Sequence, residues 1–108
     1  MKYALLICLA VASLTAQQTP EQREARHHFV LVSTRAAANF RSADSIDARL
    51  HADGAVLHPQ LIALRLRIEA ALSEARFEMD GRDYPAAEDA LTRAEALLDR
   101  FARQIGGY

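Results

Sequence analysis

The chain of 108 residues has few of the residues that build common catalytic sites. Its one cysteine, Cys8, excludes both a disulfide framework and a cysteine-rich metal site. Its four glycines form no phosphate-binding loop, and no serine stands in a Gly-x-Ser-x-Gly motif. We therefore expect that the protein is not an enzyme and that it holds no cofactor.

The chain also lacks an excess of charge of one sign. Its formal net charge is -1, and its isoelectric point is about 6.4. A protein that binds the backbone phosphates of a nucleic acid usually carries a strongly basic surface. We therefore expect no nucleic-acid partner.

The N-terminus resembles a secretory signal peptide. Met1 and Lys2 precede an apolar run over residues 3–12, and small residues lead up to Ala16. This pattern predicts cleavage after Ala16, with cleavage after Ser13 as the alternative, and an exported protein that is periplasmic or secreted. The run is about a dozen residues long, whereas a membrane span needs about 20. We expect no integral membrane span after processing, and a retained signal anchor is the alternative.

Glycine and proline divide the remaining chain into three segments. The segments are rich in Ala, Leu, Arg and Glu, which favour helices, and none has the β-branched and aromatic composition of a strand. The sequence predicts an all-α fold with helices at about 20–52, 59–80 and 84–105. The short connections predict an antiparallel, up-down arrangement in one small helical domain, residues 17–108.

The first helix has the clearest start and an unusual length. Thr19 can cap it, Pro20 suits its first position, and Gln22 completes a capping box with Thr19. Its 33 residues would extend for about 50 Å, against about 33 Å for the other two helices. A break at residues 42–45, which would give four helices, is the alternative to one continuous helix.

The second helix carries two apolar stripes. One runs from Leu57 to Met79, and Ile62 and Leu66 form another on a different side. We expect the second helix to start at Pro59, with His58 or the preceding loop as its cap. Two apolar faces predict that this helix lies between two packing partners.

The third helix has a heptad pattern that runs over three repeats. Its apolar residues step alternately by three and four residues, which predicts one buried seam: Tyr84, Ala87, Leu91, Ala94, Leu98, Phe101 and Ile105. Asp89 with Arg93, and Asp99 with Arg103, are spaced as ion pairs along its exposed side. Gly106 is expected to end the helix in a left-handed conformation.

The predicted core is thin. Residues 17–108 contain 18 alanines and 24 larger apolar residues. Alanine lets helices approach closely but buries little apolar area, so the hydrophobic stabilisation is small. With no disulfide to compensate, we expect a protein partner or self-association to supply the missing burial.

The chain has four histidines, which are candidates for metal ligands or pH-responsive groups. Glu24, His27 and His28 include the Glu-x-x-His spacing of helical di-iron sites, although the chain has no second copy of it. These three residues are our candidate metal ligands, and a polar helix face is the alternative. His51 and His58 flank the first loop, where loop-closing hydrogen bonds or a pH-responsive contact would account for them.

The second predicted hairpin resembles a tetratricopeptide (TPR) unit over residues 61–100. The matching residues are Gly81 in the turn, followed at the family's spacing by Tyr84, Ala87, Leu91, Ala94 and Leu97. Ala87 and Ala94 would occupy the small positions of the unit, and Phe77 a large position on its first helix. The resemblance implies a scaffold or accessory subunit that acts by protein–protein interaction.

A second resemblance is to the Spy/CpxP-type periplasmic helical proteins. These proteins carry Leu-Thr-x-x-Gln motifs, and residues 14–18 match the motif literally. The resemblance implies a chaperone-like role. The chain is thus predicted to be a small exported helical protein that acts by protein contact, and a periplasmic metal-responsive or chaperone-like protein is the alternative.

Overall fold

A computed structural model describes residues 18–108, and the predicted signal peptide at residues 1–16 lies outside them. The described part consists of three α-helices that pack against one another and contains no strand: α1 (Pro20–Ala52), α2 (Pro59–Asp80) and α3 (Tyr84–Ile105). The predicted all-α class is confirmed, and the helix bounds agree with the expected ranges. Within residues 18–108, no helix combines the length and the apolar character needed to cross a membrane.

Each helix begins at a residue whose side chain accepts a hydrogen bond from the first turn. The acceptor is Thr19 Oγ1 for α1, His58 Nδ1 for α2 and Asp83 Oδ1 for α3, at 3.1, 3.1 and 3.2 Å. A proline stands in the first two positions of every helix, where its missing N–H is not needed. Local sequence signals therefore fix all three starts.

The first helix is continuous, so the four-helix alternative is wrong. The hydroxyl of Ser42 donates a hydrogen bond to the carbonyl of Ala38, one turn earlier, at 3.3 Å. In this arrangement Ser42 bonds within α1 and does not cap a new helix. At 33 residues, α1 is longer than α2 and α3, which have 22 each.

The core is as thin as the composition predicts. Half of the sixteen buried apolar residues in the described part are alanines. The largest fully buried side chains come from α2 and α3: Leu61, Ile68, Leu91, Leu98 and Phe101. Phe40 of α1 packs edge-on against Phe101, with ring centroids 5.5 Å apart and an interplanar angle of 80°.

The seam of α3 is confirmed, since five of its seven residues are buried and only Tyr84 and Ile105 at its ends are partly exposed. The contact of α2 with α3 is the most extensive, and that of α1 with α2 the smallest. On α2, Arg65 lies over the Phe40 ring at 4.6 Å and pairs with Asp44 at 2.7 Å. This contact ties α2 to α1.

The ion pairs expected along α3 are not those that form. Arg93 pairs with Glu74 of α2 at 2.9 Å, and Asp99 pairs with Arg35 of α1 at 2.5 Å. The spacing within α3 predicts different pairs, in which Asp89 binds Arg93 and Asp99 binds Arg103. Neighbouring helices instead bring their own charged side chains close to the edges of α3.

The prediction of a left-handed conformation at Gly106 is also wrong. Gly106 has φ -62° and ψ -16°, which any residue adopts. Positive φ occurs instead at Gly54, at 75°, and at Arg82, at 62°. The turns between the helices therefore contain the left-handed residues.

Candidate functional site

His28 of α1 joins two carboxylates of α3. Its Nδ1 atom lies 2.5 Å from Oε2 of Glu88, and its Nε2 atom lies 2.5 Å from Oε1 of Glu95. The two glutamates are seven residues apart, so they lie on the same side of α3, two turns from each other. The imidazole ring therefore spans the space between α1 and α3 with both nitrogens engaged.

This geometry favours the charged imidazolium. A neutral imidazole donates from one ring nitrogen only, whereas an imidazolium donates from both. Burial lowers the pKa of His28, but hydrogen bonds and charge attraction from Glu88 and Glu95 outweigh it, so its pKa is raised above 6.5. The other oxygen of Glu88 is buried without a hydrogen-bond partner in the described part, which leaves His28 as that carboxylate's main counter-charge.

The candidate metal ligands do not come together. Glu24 and His27 are exposed, while His28 is partly buried and faces Glu88 and Glu95. The two glutamates lie on opposite nitrogens of the ring, so they do not share a point with it where one ion could bind. Within residues 18–108, no group of three or more His, Cys, Asp or Glu residues is placed to hold a metal ion.

The other two histidines, His51 and His58, make contacts near the ends of helices. His58 caps α2, as expected, and its backbone N–H donates to the hydroxyl of Tyr108 at 2.9 Å. His51 lies near the end of α1, where its Nδ1 atom is 3.3 Å from Oδ1 of Asp47, one turn earlier. Both make local contacts at the first loop.

A second surface, the outer face of α2, has no covering helix in the described part. We define this face by seven exposed residues that share one side of α2: Ile62, Leu66, Glu69, Ala70, Ser73, Arg76 and Phe77. This outer face lies opposite the side of α2 that packs on α1 and α3. The buried residues of that packed side are Leu61, Leu64, Ile68, Ala71 and Ala75. The fold therefore uses one side of α2 and leaves the other open.

The outer face exposes three large apolar side chains. Ile62 is 52% exposed, Leu66 62% and Phe77 74%. Single exposed apolar residues are common on protein surfaces, but several on one helix face form a patch that suits contact with another molecule. Over the 16 residues from Ile62 to Phe77, this face is about 24 Å long.

The sequence pattern predicts part of this face but does not predict that it is exposed. The two apolar stripes predict that α2 lies between two packing partners. It does contact both α1 and α3, but Ile62 and Leu66 stay exposed, so their stripe is not the side that makes these contacts. The sequence pattern includes Phe77 only through the resemblance to a TPR unit. Its spacing of 11 residues from Leu66, or three helical turns, is the signal that places it on the same face.

Charged and small residues complete the outer face. Glu69 accepts a hydrogen bond from Arg65, one turn earlier, at 3.3 Å. Arg76 is exposed and makes no ion pair with any residue of 18–108. Ala70 and Ser73 lie between them, so the middle of the face has no bulky side chain. The face thus combines apolar residues near its ends, small residues in its middle and charges of both signs.

Comparison of the chain with protein-family models, with curated proteins and with solved structures finds no match.

Proposed function

We propose that this is a small exported helical protein that acts by protein–protein contact, as a scaffold or an accessory subunit, through the outer face of α2. The observation that carries the proposal is the exposure of Ile62, Leu66 and Phe77 on one side of α2. Full burial of a side chain of this size from complete exposure contributes about 1.5–3 kcal/mol, and a partner could add roughly half to three quarters of that for each of these residues. The surface is therefore suited to association.

The thin core supports the same proposal. Half of the buried apolar residues are alanines, which contribute little apolar area each. A small domain with such a core and no disulfide is only marginally stable alone. Covering the outer face of α2 would add apolar burial that the three helices do not provide for themselves.

The resemblance of residues 61–100 to a TPR unit also agrees with a binding role. Ala87 and Ala94 hold the small positions of that pattern, and both are fully buried on α3. Small residues at such positions allow two helices to pack closely, as the family's binding scaffolds require. The export part of the proposal rests on the pattern of residues 1–16.

Site-specific photocrosslinking in intact cells tests the proposal. A photoreactive phenylalanine analogue would replace Leu66 or Phe77 in turn, and Thr34, an exposed residue of α1, would be the control position. We expect protein adducts from the two positions on α2 and none from position 34. Absence of any adduct at positions 66 and 77, including an adduct between two copies of the chain, would contradict the proposal.

A further inference from the structure

Four residues of the outer face of α2 are arranged symmetrically about one point along the helix: Leu66, Ala70, Ser73 and Phe77. Leu66 and Phe77 lie equally far from the point midway between Ala70 and Ser73. A bulky apolar residue therefore stands on each side of a small central pair. A surface of this kind is complementary to a copy of itself that runs in the opposite direction.

We infer that the partner of this face is a second copy of the chain, whose α2 packs antiparallel to the first across a two-fold axis. The inference rests on the proposed function and specifies the partner. In this pairing Leu66 of each copy contacts Phe77 of the other, on both sides of the axis. Ala70 and Ser73 lie at the axis, where their small side chains let the two helices approach closely.

Charge supports the antiparallel direction. Glu69 and Arg76 are seven residues apart and therefore lie along the same edge of the face. A two-fold axis perpendicular to both helices places the same edges of the two copies side by side. Glu69 of each copy then lies within about two residues, or 3 Å along the helix axis, of Arg76 of the other, and the dimer gains two ion pairs related by symmetry.

A parallel pairing would not use these charges. It would bring the Glu69–Arg76 edge of one copy beside the opposite edge of the other, away from the complementary charge. Arg76 has no ion-pair partner among residues 18–108, and a parallel pairing would not supply one. Only the antiparallel direction satisfies the apolar and the charged residues together.

The neighbouring helices leave room for the second copy. The buried residues of α2 point to α1 and α3 on the opposite side, while all seven residues of the outer face are exposed. A contact of about 24 Å along one helix is smaller than a standard protein interface. The dimer should accordingly be weak and should dissociate on dilution.

Charge exchange between Glu69 and Arg76 tests both the dimer and its direction. Sedimentation of the chain in the form that cells release would cover roughly 1 µM to 1 mM. We expect a monomer–dimer equilibrium. Glu69→Arg and Arg76→Glu should each weaken it by about tenfold or more, since each change occurs twice in a symmetric dimer.

Mixing the two single variants gives the sharpest result. Each variant alone has two like-charge contacts, but a heterodimer of the two has two opposite-charge contacts. The mixture and the double variant should both regain dimerisation to within about threefold of the original chain. Arg41→Glu, at an exposed position of α1, is the control for a change of net charge alone and should leave the equilibrium unchanged.

The outcomes separate this inference from the proposed function. A chain that stays monomeric at all concentrations overturns the dimer, while crosslinks from Phe77 to a different protein would still support the proposed function. A dimer that does not respond to Glu69 and Arg76 overturns the antiparallel pairing. Circular dichroism of each variant, which should retain the helical content of the original, shows that loss of dimer is not loss of fold.

Discussion

The Nδ1 atom of His28 lies 2.5 Å from Oε2 of Glu88, which makes a charged histidine one of the links between α1 and α3. Glu95 contacts the other ring nitrogen at the same distance. The smallest contacts of α1 are those with α2. The attachment of α1 therefore depends more on α3 than on α2, and His28 makes part of that attachment dependent on pH.

His28→Gln should destabilise the fold more at low pH than at high pH. The folded state raises the pKa of His28 above 6.5, so the charged form contributes its full stability below that value and loses it as pH rises through the folded pKa. We expect the free energy of unfolding to fall by about 1 kcal/mol or less near pH 5.5, since the glutamates are partly exposed, and to change little near pH 9. Urea denaturation at both pH values measures this.

His27→Gln is the matched control, because His27 is the exposed neighbour of His28. Its effect should stay within about 0.5 kcal/mol at either pH. NMR titration of the His28 ring should give a midpoint above 6.5. A loss of stability in His28→Gln that is the same at both pH values would contradict the role assigned to the charged ring.

Phe101 and Phe77 should respond to the same substitution in opposite ways. Phe101 is fully buried and packs on Phe40, whereas Phe77 is 74% exposed. Phe101→Ala should cost about 3–5 kcal/mol, enough to unfold much of a marginally stable domain, while Phe77→Ala should change the free energy of unfolding by about 0.5 kcal/mol or less. Urea denaturation of dilute samples, where association does not contribute, provides the comparison.

The helix ends could be predicted from sequence because the signals that set them are local. Thr19, His58 and Asp83 each accept a hydrogen bond from a backbone N–H only two or three residues further along. Such contacts depend on the backbone of one turn and not on how helices are arranged in space. The seam of α3 was equally predictable, because its period is regular over the whole helix.

The contacts between helices could not be predicted in the same way. The sequence makes His28 a candidate metal ligand together with Glu24 and His27, but its partners are 60 and 67 residues away in the chain. Periodicity places Ile62 on a separate side of α2, yet it does not reveal whether the chain supplies a helix to cover that side. Both features depend on the offset and rotation of packed helices, which a single sequence does not encode locally.

The predicted signal peptide can be tested by expressing the full chain in cells and analysing any processed form. The mature N-terminus should be Gln17, or Leu14 if cleavage follows Ser13, and intact mass spectrometry of the released protein measures it. Ala16→Phe should block cleavage after position 16, because the position before the cut requires a small residue. Thr15→Phe, one residue earlier, is the control and should still be processed. A released chain that retains Met1 would contradict the prediction.

Gly54 and Gly81 should differ in their tolerance of a methyl group, although each lies in a turn between helices. A Cβ atom at Gly54 would meet no neighbour, so the only cost of Gly54→Ala is its φ of 75°. We expect that variant to lose about 1 kcal/mol of unfolding free energy. Gly81 has φ -80°, and a Cβ there would lie 3.6 Å from the carbonyl oxygen of Phe77, an ordinary contact. Gly81→Ala should therefore be neutral or add about 0.4–1 kcal/mol by restricting the unfolded chain. Thermal unfolding of the two variants side by side measures the difference, and equal melting temperatures would contradict the left-handed conformation at Gly54.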